Sequence, residues 1–257
     1  MFDLASITLS DIASFIAIGF AAQLIDGALG MAFGVISQTL LVGIGVPPAS
    51  ASASVHLVEV FTTGASGTSH IVHRNVDWAL FRRLVPFGVL GGVAGAYLLS
   101  NIDASVARPF VMAYLALIGV FLLYKAVRMT EPRFEDPKTT RPLALVGGFL
   151  DAAGGGGWGP VVTSNLLIQG GDPRKVLGTV NSAEFLLAVS VSIAFLAHLG
   201  WESFTLATLG LIAGGVVAAP FGAFLAKRIA PRSLLVAVSL VLIATSIYSI
   251  YTAWPII

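Results

Sequence analysis

The chain has no cysteine among its 257 residues, which excludes disulfides and thiolate metal sites and leaves the redox compartment undefined. Charge is nearly as scarce. Only 11% of residues are charged and 56% are apolar, against roughly 25% charged in a soluble domain. The surface must therefore face something other than water. Long polar stretches are missing too, so no soluble domain is expected. The net charge of +1 says nothing about partners, and no nucleic-acid partner is expected. Neither G-x-S-x-G nor H-E-x-x-H occurs, so an enzyme is not expected, and nothing calls for a cofactor. The opening "MFDLASITLSDIASFIAIGF" lacks the basic leader and cleavage site of a signal peptide. The first apolar segment is accordingly read as part of the mature protein.

What the chain has in abundance is apolar runs of membrane-spanning length. A spanning helix needs about 20 apolar residues, and 49–71, 79–99, 105–127, 175–198, 204–226 and 232–254 qualify. Two further pairs of segments are shorter, 11–26 with 28–43 and 142–153 with 157–169, and each pair flanks a glycine-rich break. The second break, "LDAAGGGGWGP" at 150–160, carries four consecutive glycines. A glycine in a helix interior costs about 1 kcal/mol relative to alanine, so a continuous helix is not expected there. Each pair is read as a re-entrant or broken-helix hairpin, with two very short full spans left open.

The sequence also repeats itself. Shifted by 125 positions, 26–59 lies over 151–184 without a gap and with nine identities in 34 positions. Asp26 meets Asp151, Gly30 meets Gly155, Gly34 meets Gly159, Gly45 meets Gly170, Pro48 meets Pro173 and Glu59 meets Glu184. A two-residue gap extends the match to "GAYLLSNI" (95–102) over "GAFLAKRI" (222–229). The chain is thus expected to hold a first repeat at 1–128, a connector at 129–141 and a second repeat at 142–257. Basic residues change sides at every matched loop. "RNVDWALFRR" (74–83) has three arginines where "LGWESF" (199–204) has no base, and "KRIAPR" (227–232) has three bases where "SNIDAS" (100–105) has none. Basic loops face the cytoplasm. Loops 74–83, 125–141, 168–175 and 227–232 are placed there, in a bacterial-type inner membrane with both termini on the other side. Thirteen of the 14 Lys/Arg then share one side, opposed only by Arg108. The expected fold is an all-α polytopic membrane protein of two inverted repeats, each a broken hairpin followed by three spans.

Irregular backbone at membrane depth is tolerated where it is buried in protein or lines a wet cavity. A half-helix beginning at such a break aims its free N–H groups and positive dipole end inward. Two of them would form an anion site without any buried base. Inverted repeats with broken helices are a common transporter plan. The candidate binding residues are Gly30, Gly34 and Gln38 in the first copy and Gly154, Gly155, Gly156, Gly157, Trp158, Asn165 and Asn181 in the second. Trp158 matches Phe33 and reads either as an aromatic wall or as packing. Glu59 and Glu184 lie about ten residues into their spans, where a charge costs at least about 2.5–3.5 kcal/mol. Ser52, His56, Glu59 and Thr63 form a polar stripe on one helix face, with Asn181 and Glu184 on its counterpart. His56 with Glu59 is expected to pair, and the glutamates to couple transport to protons. Asp26 and Asp151 precede the breaks and read first as caps of the following half-helices, with a coupling or gating role left open. Scattered Gly91, Gly92 and Gly95 read as close-packing positions.

The breaks "DGALGMAFG" and "DAAGGGGWGP", the turns "GVPP" and "GDP" and the in-span glutamates together resemble the sulfite exporter TauE/SafE family. The resemblance covers nearly the whole chain. It implies a multi-span transporter of small sulfur-containing anions such as sulfite, sulfonates or sulfoacetate, often an exporter. The family's glycine motifs fall on Gly27, Gly30 and Gly34, and on Gly154 to Gly157 with Gly159. Leu29, Met31 and Ala32 replace three of those glycines in the first copy, so the half-sites are expected to be unequal. A passive anion channel stays open as an alternative, as does a cation or metal transporter using His56, Glu59 and Glu184. A homo-oligomer is also left open.

Overall fold

The computed structural model describes residues 9–29, 31–128, 137–201, 206–228 and 231–253. These form α1 (Leu9–Leu29), α2 (Phe33–Gly43), α3 (Pro48–Val72), α4 (Trp78–Ser100), α5 (Ala104–Val127), α6 (Thr140–Gly154), a π-helical turn (Trp158–Thr163) running into α7 (Ser164–Ile168), α8 (Pro173–Leu199), α9 (Leu206–Arg228) and α10 (Pro231–Ala253). The order is the same in both halves: a broken helix pair, then three long helices.

Local chemistry sets the boundaries. Asp77, Asp103 and Asp172 sit just before α4, α5 and α8, and each carboxylate accepts backbone N–H groups of the first turn. Pro48 and Pro173 occupy the first positions of α3 and α8, where a missing N–H is harmless. The turns leading into those prolines contain Gly45 and Gly170, with φ of +105° and +97°. The left-handed backbone that favours glycine thus recurs at matched positions of the two copies.

Packing follows the same repetition. Helix α1 lies along α9 and α6 along α4, while α3 packs on α8 and α5 on α10. The contacts are backbone to backbone. A Cβ at Gly91 would overlap the Leu145 carbonyl oxygen, one at Gly95 the Phe149 oxygen, and one at Gly148 the Gly88 oxygen. On the α1–α9 side, Gly214 meets the Ile16 oxygen in the same way. In a bilayer, where lipid tails are as apolar as leucine, close approach of this kind supplies the attraction between helices. The close-packing role expected of Gly91, Gly92 and Gly95 is what the helices show.

Large apolar side chains cover the outside, among them Phe110, Leu117, Leu209, Val216, Tyr248 and Tyr251. A surface this apolar is stable only against lipid or another apolar partner. Among the described residues, Trp78–Ser100, Ala104–Val127 and Pro173–Leu199 are helices long and apolar enough to cross a membrane. Helix α3 is long enough at 25 residues but carries the polar stripe.

The first break differs from expectation. Helix α1 runs through Gly27 to Leu29, and α2 starts at Phe33 rather than at 28. One glycine inside a helix is a modest cost, and the described residues between the two helices are 31–32. The second break, at 155–157, lies where the glycine run put it.

Candidate functional site

Each break is strapped by the aspartate before it. Asp26 Oδ1 accepts from the N–H groups of Ala32 (2.7 Å) and Phe33 (3.1 Å). Asp151 Oδ1 accepts from Gly157 and Trp158, both at 2.9 Å. The offsets of six and seven residues are identical in the two copies. The capping reading of both aspartates therefore describes their geometry. It also means that the first N–H groups beyond each break already have an acceptor.

The second break adds left-handed backbone at Gly155, with φ of +78°, which closes α6. Its carbonyl at Gly156 accepts from the Tyr114 hydroxyl at 3.0 Å. A Cβ at Gly157 would overlap the Gly147 carbonyl oxygen, so this position has no room for a side chain. The π-helical turn that follows is a rare form often found at functional sites. The two tips press together: a Cβ at Gly159 would lie 2.5 Å from the Met31 oxygen, and one at Gly34 would lie 3.3 Å from the Gly155 oxygen.

Between the tips lies a cavity of about 30 Å³. Both breaks contribute to it, with Asp26, Gly34, Asp151 and Gly156, and both long helices do so too, with Glu59, Asn181 and Glu184. Four carboxylates thus face one small space, and its lining contains no lysine or arginine. Thr62 and Thr63 also reach it, and the Thr63 hydroxyl donates to the Glu59 backbone oxygen.

Several candidate residues stand elsewhere. Gln38 is buried and donates to the Pro48 oxygen at 3.1 Å, with its stem against Gly155. Asn165 donates to the Val161 oxygen. Gly154 packs on the Tyr114 ring. Trp158 is fully buried, its indole N–H donating to the Val180 oxygen and its ring against Gly88. Trp158 is thus core packing, not a cavity wall. Gly154, Gly155, Gly157 and Asn165 also stand outside the lining, and Gly30 lies outside the described residues.

His56 stands behind the cavity with Nε2 3.3 Å from Asp151 Oδ2. This distance suits an ion pair, but the atoms are not aligned for a hydrogen bond. Its Nδ1 lies 2.8 Å from the Ser52 carbonyl oxygen, which can only accept, so Nδ1 carries the proton there. The nearest acid of His56 thus comes from the other copy, in place of the expected pairing with Glu59 alone. Tyr114 and Thr62 were not singled out in the sequence. An aromatic within an apolar run gives no signal of a hydrogen bond to a glycine carbonyl.

The sulfite exporter TauE/SafE family model matches residues 15–249. A curated relative, "Probable membrane transporter protein YtnM" of Bacillus subtilis (strain 168), is 44% identical over 245 residues, covering 92% of this chain and 82% of that protein. No solved structure matches the chain. With the family match spanning both breaks and all the long helices, the chain belongs to the TauE/SafE family of membrane transporters.

Proposed function

We propose that the protein is a secondary transporter that exports small sulfur-containing anions, such as sulfite, sulfoacetate or other organosulfonates, across the cytoplasmic membrane with proton coupling. The observation that carries this reading is the central cavity, built from both breaks and both in-span glutamates. A space of about 30 Å³ holds a water-sized group rather than an organosulfonate. Substrate entry therefore requires the tips to separate. In this reading the two copies, at 1–128 and 142–257, lie in opposite orientations and rock against each other about the shared site.

Four carboxylates repel an anion unless something cancels their charge. A proton taken up by Glu59 or Glu184 lowers that charge by one, and it binds anion and proton entry together. The test uses purified protein in liposomes with a trapped pH dye and an imposed gradient of sulfite or sulfoacetate. Anion-driven proton movement is expected, and Glu184→Gln should abolish it while anion-for-anion exchange survives. Anion flux with no proton movement would instead establish a channel or an uncoupled carrier.

A further inference from the structure

Three buried acceptor atoms converge beside the cavity with no donor between them. His56 is 1% exposed and Glu59 5%. Neither His56 Nε2 nor Glu59 Oε2 has a hydrogen-bond partner among the described residues. Because Nδ1 holds the imidazole proton, Nε2 directs a lone pair at Asp151 Oδ2. Asp151 spends its other oxygen on the two backbone N–H groups, so Oδ2 is the oxygen that faces His56. The ligand atoms of His56, Glu59 and Asp151 all lie within 4.8 Å of one another.

Lone pairs that converge in a buried place repel one another unless a proton or a metal cation sits among them. The donor set selects the cation. One imidazole nitrogen and two carboxylate oxygens suit a borderline divalent ion of the zinc type, and sodium or calcium would favour oxygen alone. In a tetrahedral site with bonds of about 2.0–2.1 Å, ligand atoms stand about 3.3 Å apart. The His56–Asp151 separation is 3.3 Å. The Nδ1–H bond to the Ser52 carbonyl is the outer contact that commonly fixes the tautomer of a ligating histidine.

We propose that His56 Nε2, Glu59 Oε2 and Asp151 Oδ2 form a three-ligand site for one divalent transition-metal cation, with a fourth position open to the central cavity. Two carboxylates and one divalent cation sum to zero charge, which removes half of the negative charge facing the cavity. On the transport reading proposed above, an oxygen of the sulfur anion takes the fourth position, and Glu184 remains to carry the proton. The other half of the cavity offers no equal site. Asn181 stands at the position matching His56 and uses its Nδ2 to donate to the Leu177 oxygen at 2.9 Å, the same four-residue reach back that His56 makes. The geometry recurs there, but the ligating nitrogen does not.

The experiment titrates EDTA-treated full-length protein with Zn²⁺ alone by calorimetry and follows Co²⁺ alone by its visible absorption. One ion per chain is expected. His56→Gln and Glu59→Gln should each weaken binding by about tenfold or more, and His198→Gln should leave it unchanged. Asn181→His should add a second, weaker ion. Size-exclusion profiles confirm that each variant is folded, and the near-isosteric Glu59→Gln serves if His56→Gln is not. Absence of Zn²⁺ binding to the wild-type chain, or binding unaffected by both Gln variants, overturns the site. A sulfite thermal-shift measurement with and without EDTA separates the two proposals. Sulfite stabilisation without Zn²⁺ binding leaves transport standing and removes the metal. One bound Zn²⁺ with no sulfite response keeps the metal and removes the anion reading.

Discussion

The two halves of the central site share a frame and differ in their chemistry. Both have an aspartate strap reaching six and seven residues ahead, a glutamate on the facing long helix and a glycine turn with positive φ. Around the second break the backbone is tighter and the polar chemistry richer. It adds Gly155 to Gly157, the Tyr114 hydroxyl, the π-helical turn and, from the opposite copy, His56. The first break makes do with Met31 and Ala32 and faces Asn181. The shared frame falls on positions that match when the sequence is shifted by 125. The differences fall both on groups that set the backbone of the second break, such as Gly157 and Tyr114, and on the facing His56 and Asn181.

The largest test of this contrast is Gly157→Ala against Ala32→Gly, since these two positions correspond. The alanine Cβ at 157 would overlap the Gly147 oxygen and crowd the Asp151 nitrogen. A loss of about 3 kcal/mol or a failure to fold is expected. Ala32→Gly should change the melting temperature only slightly. Equal tolerance at both sites would show that the second break is no tighter than the first.

Next come the straps. Asp26→Ala and Asp151→Ala should each cost about 1–2 kcal/mol, because each frees two N–H groups. Asparagine retains one acceptor oxygen, so Asp26→Asn and Asp151→Asn should both stay folded in thermal melts. Only Asp151→Asn should also lose cation binding. The smallest effect is expected of Tyr114→Phe, which removes one hydrogen bond worth about 1 kcal/mol. Val241 stands at the matched position of the second copy and is exposed. Val241→Ala should therefore leave the melting temperature nearly unchanged.

Much of the fold could be read from the chain, because apolar length and capping chemistry act locally. Helices α3, α4, α5, α8, α9 and α10 begin and end within about two residues of the apolar runs, helped by Asp77, Asp103 and the prolines. The first break was misplaced because Gly27 looked like the interruption, whereas a single glycine sits comfortably inside α1. The site was only half legible. Asp26, Asp151, Glu59 and Glu184 stood out as acids in oily surroundings, and all four line the cavity. That His56 faces Asp151, 95 residues away, depends on how α3 packs across α6. No spacing along the chain encodes that contact. Trp158 misled because a ring beside glycines reads equally as a wall or as core.

Glycine runs invite the picture of a hinge, yet each break here is a short ring of backbone closed by a carboxylate. Bending at such a ring would have to tear two hydrogen bonds from one oxygen. The breaks are therefore stiff knuckles, and on the transport reading proposed above each tip would move with its whole half as the two rock against each other. A cation held at Asp151 Oδ2, as proposed above, would then act as a tensioner on the strap whose other oxygen closes the ring.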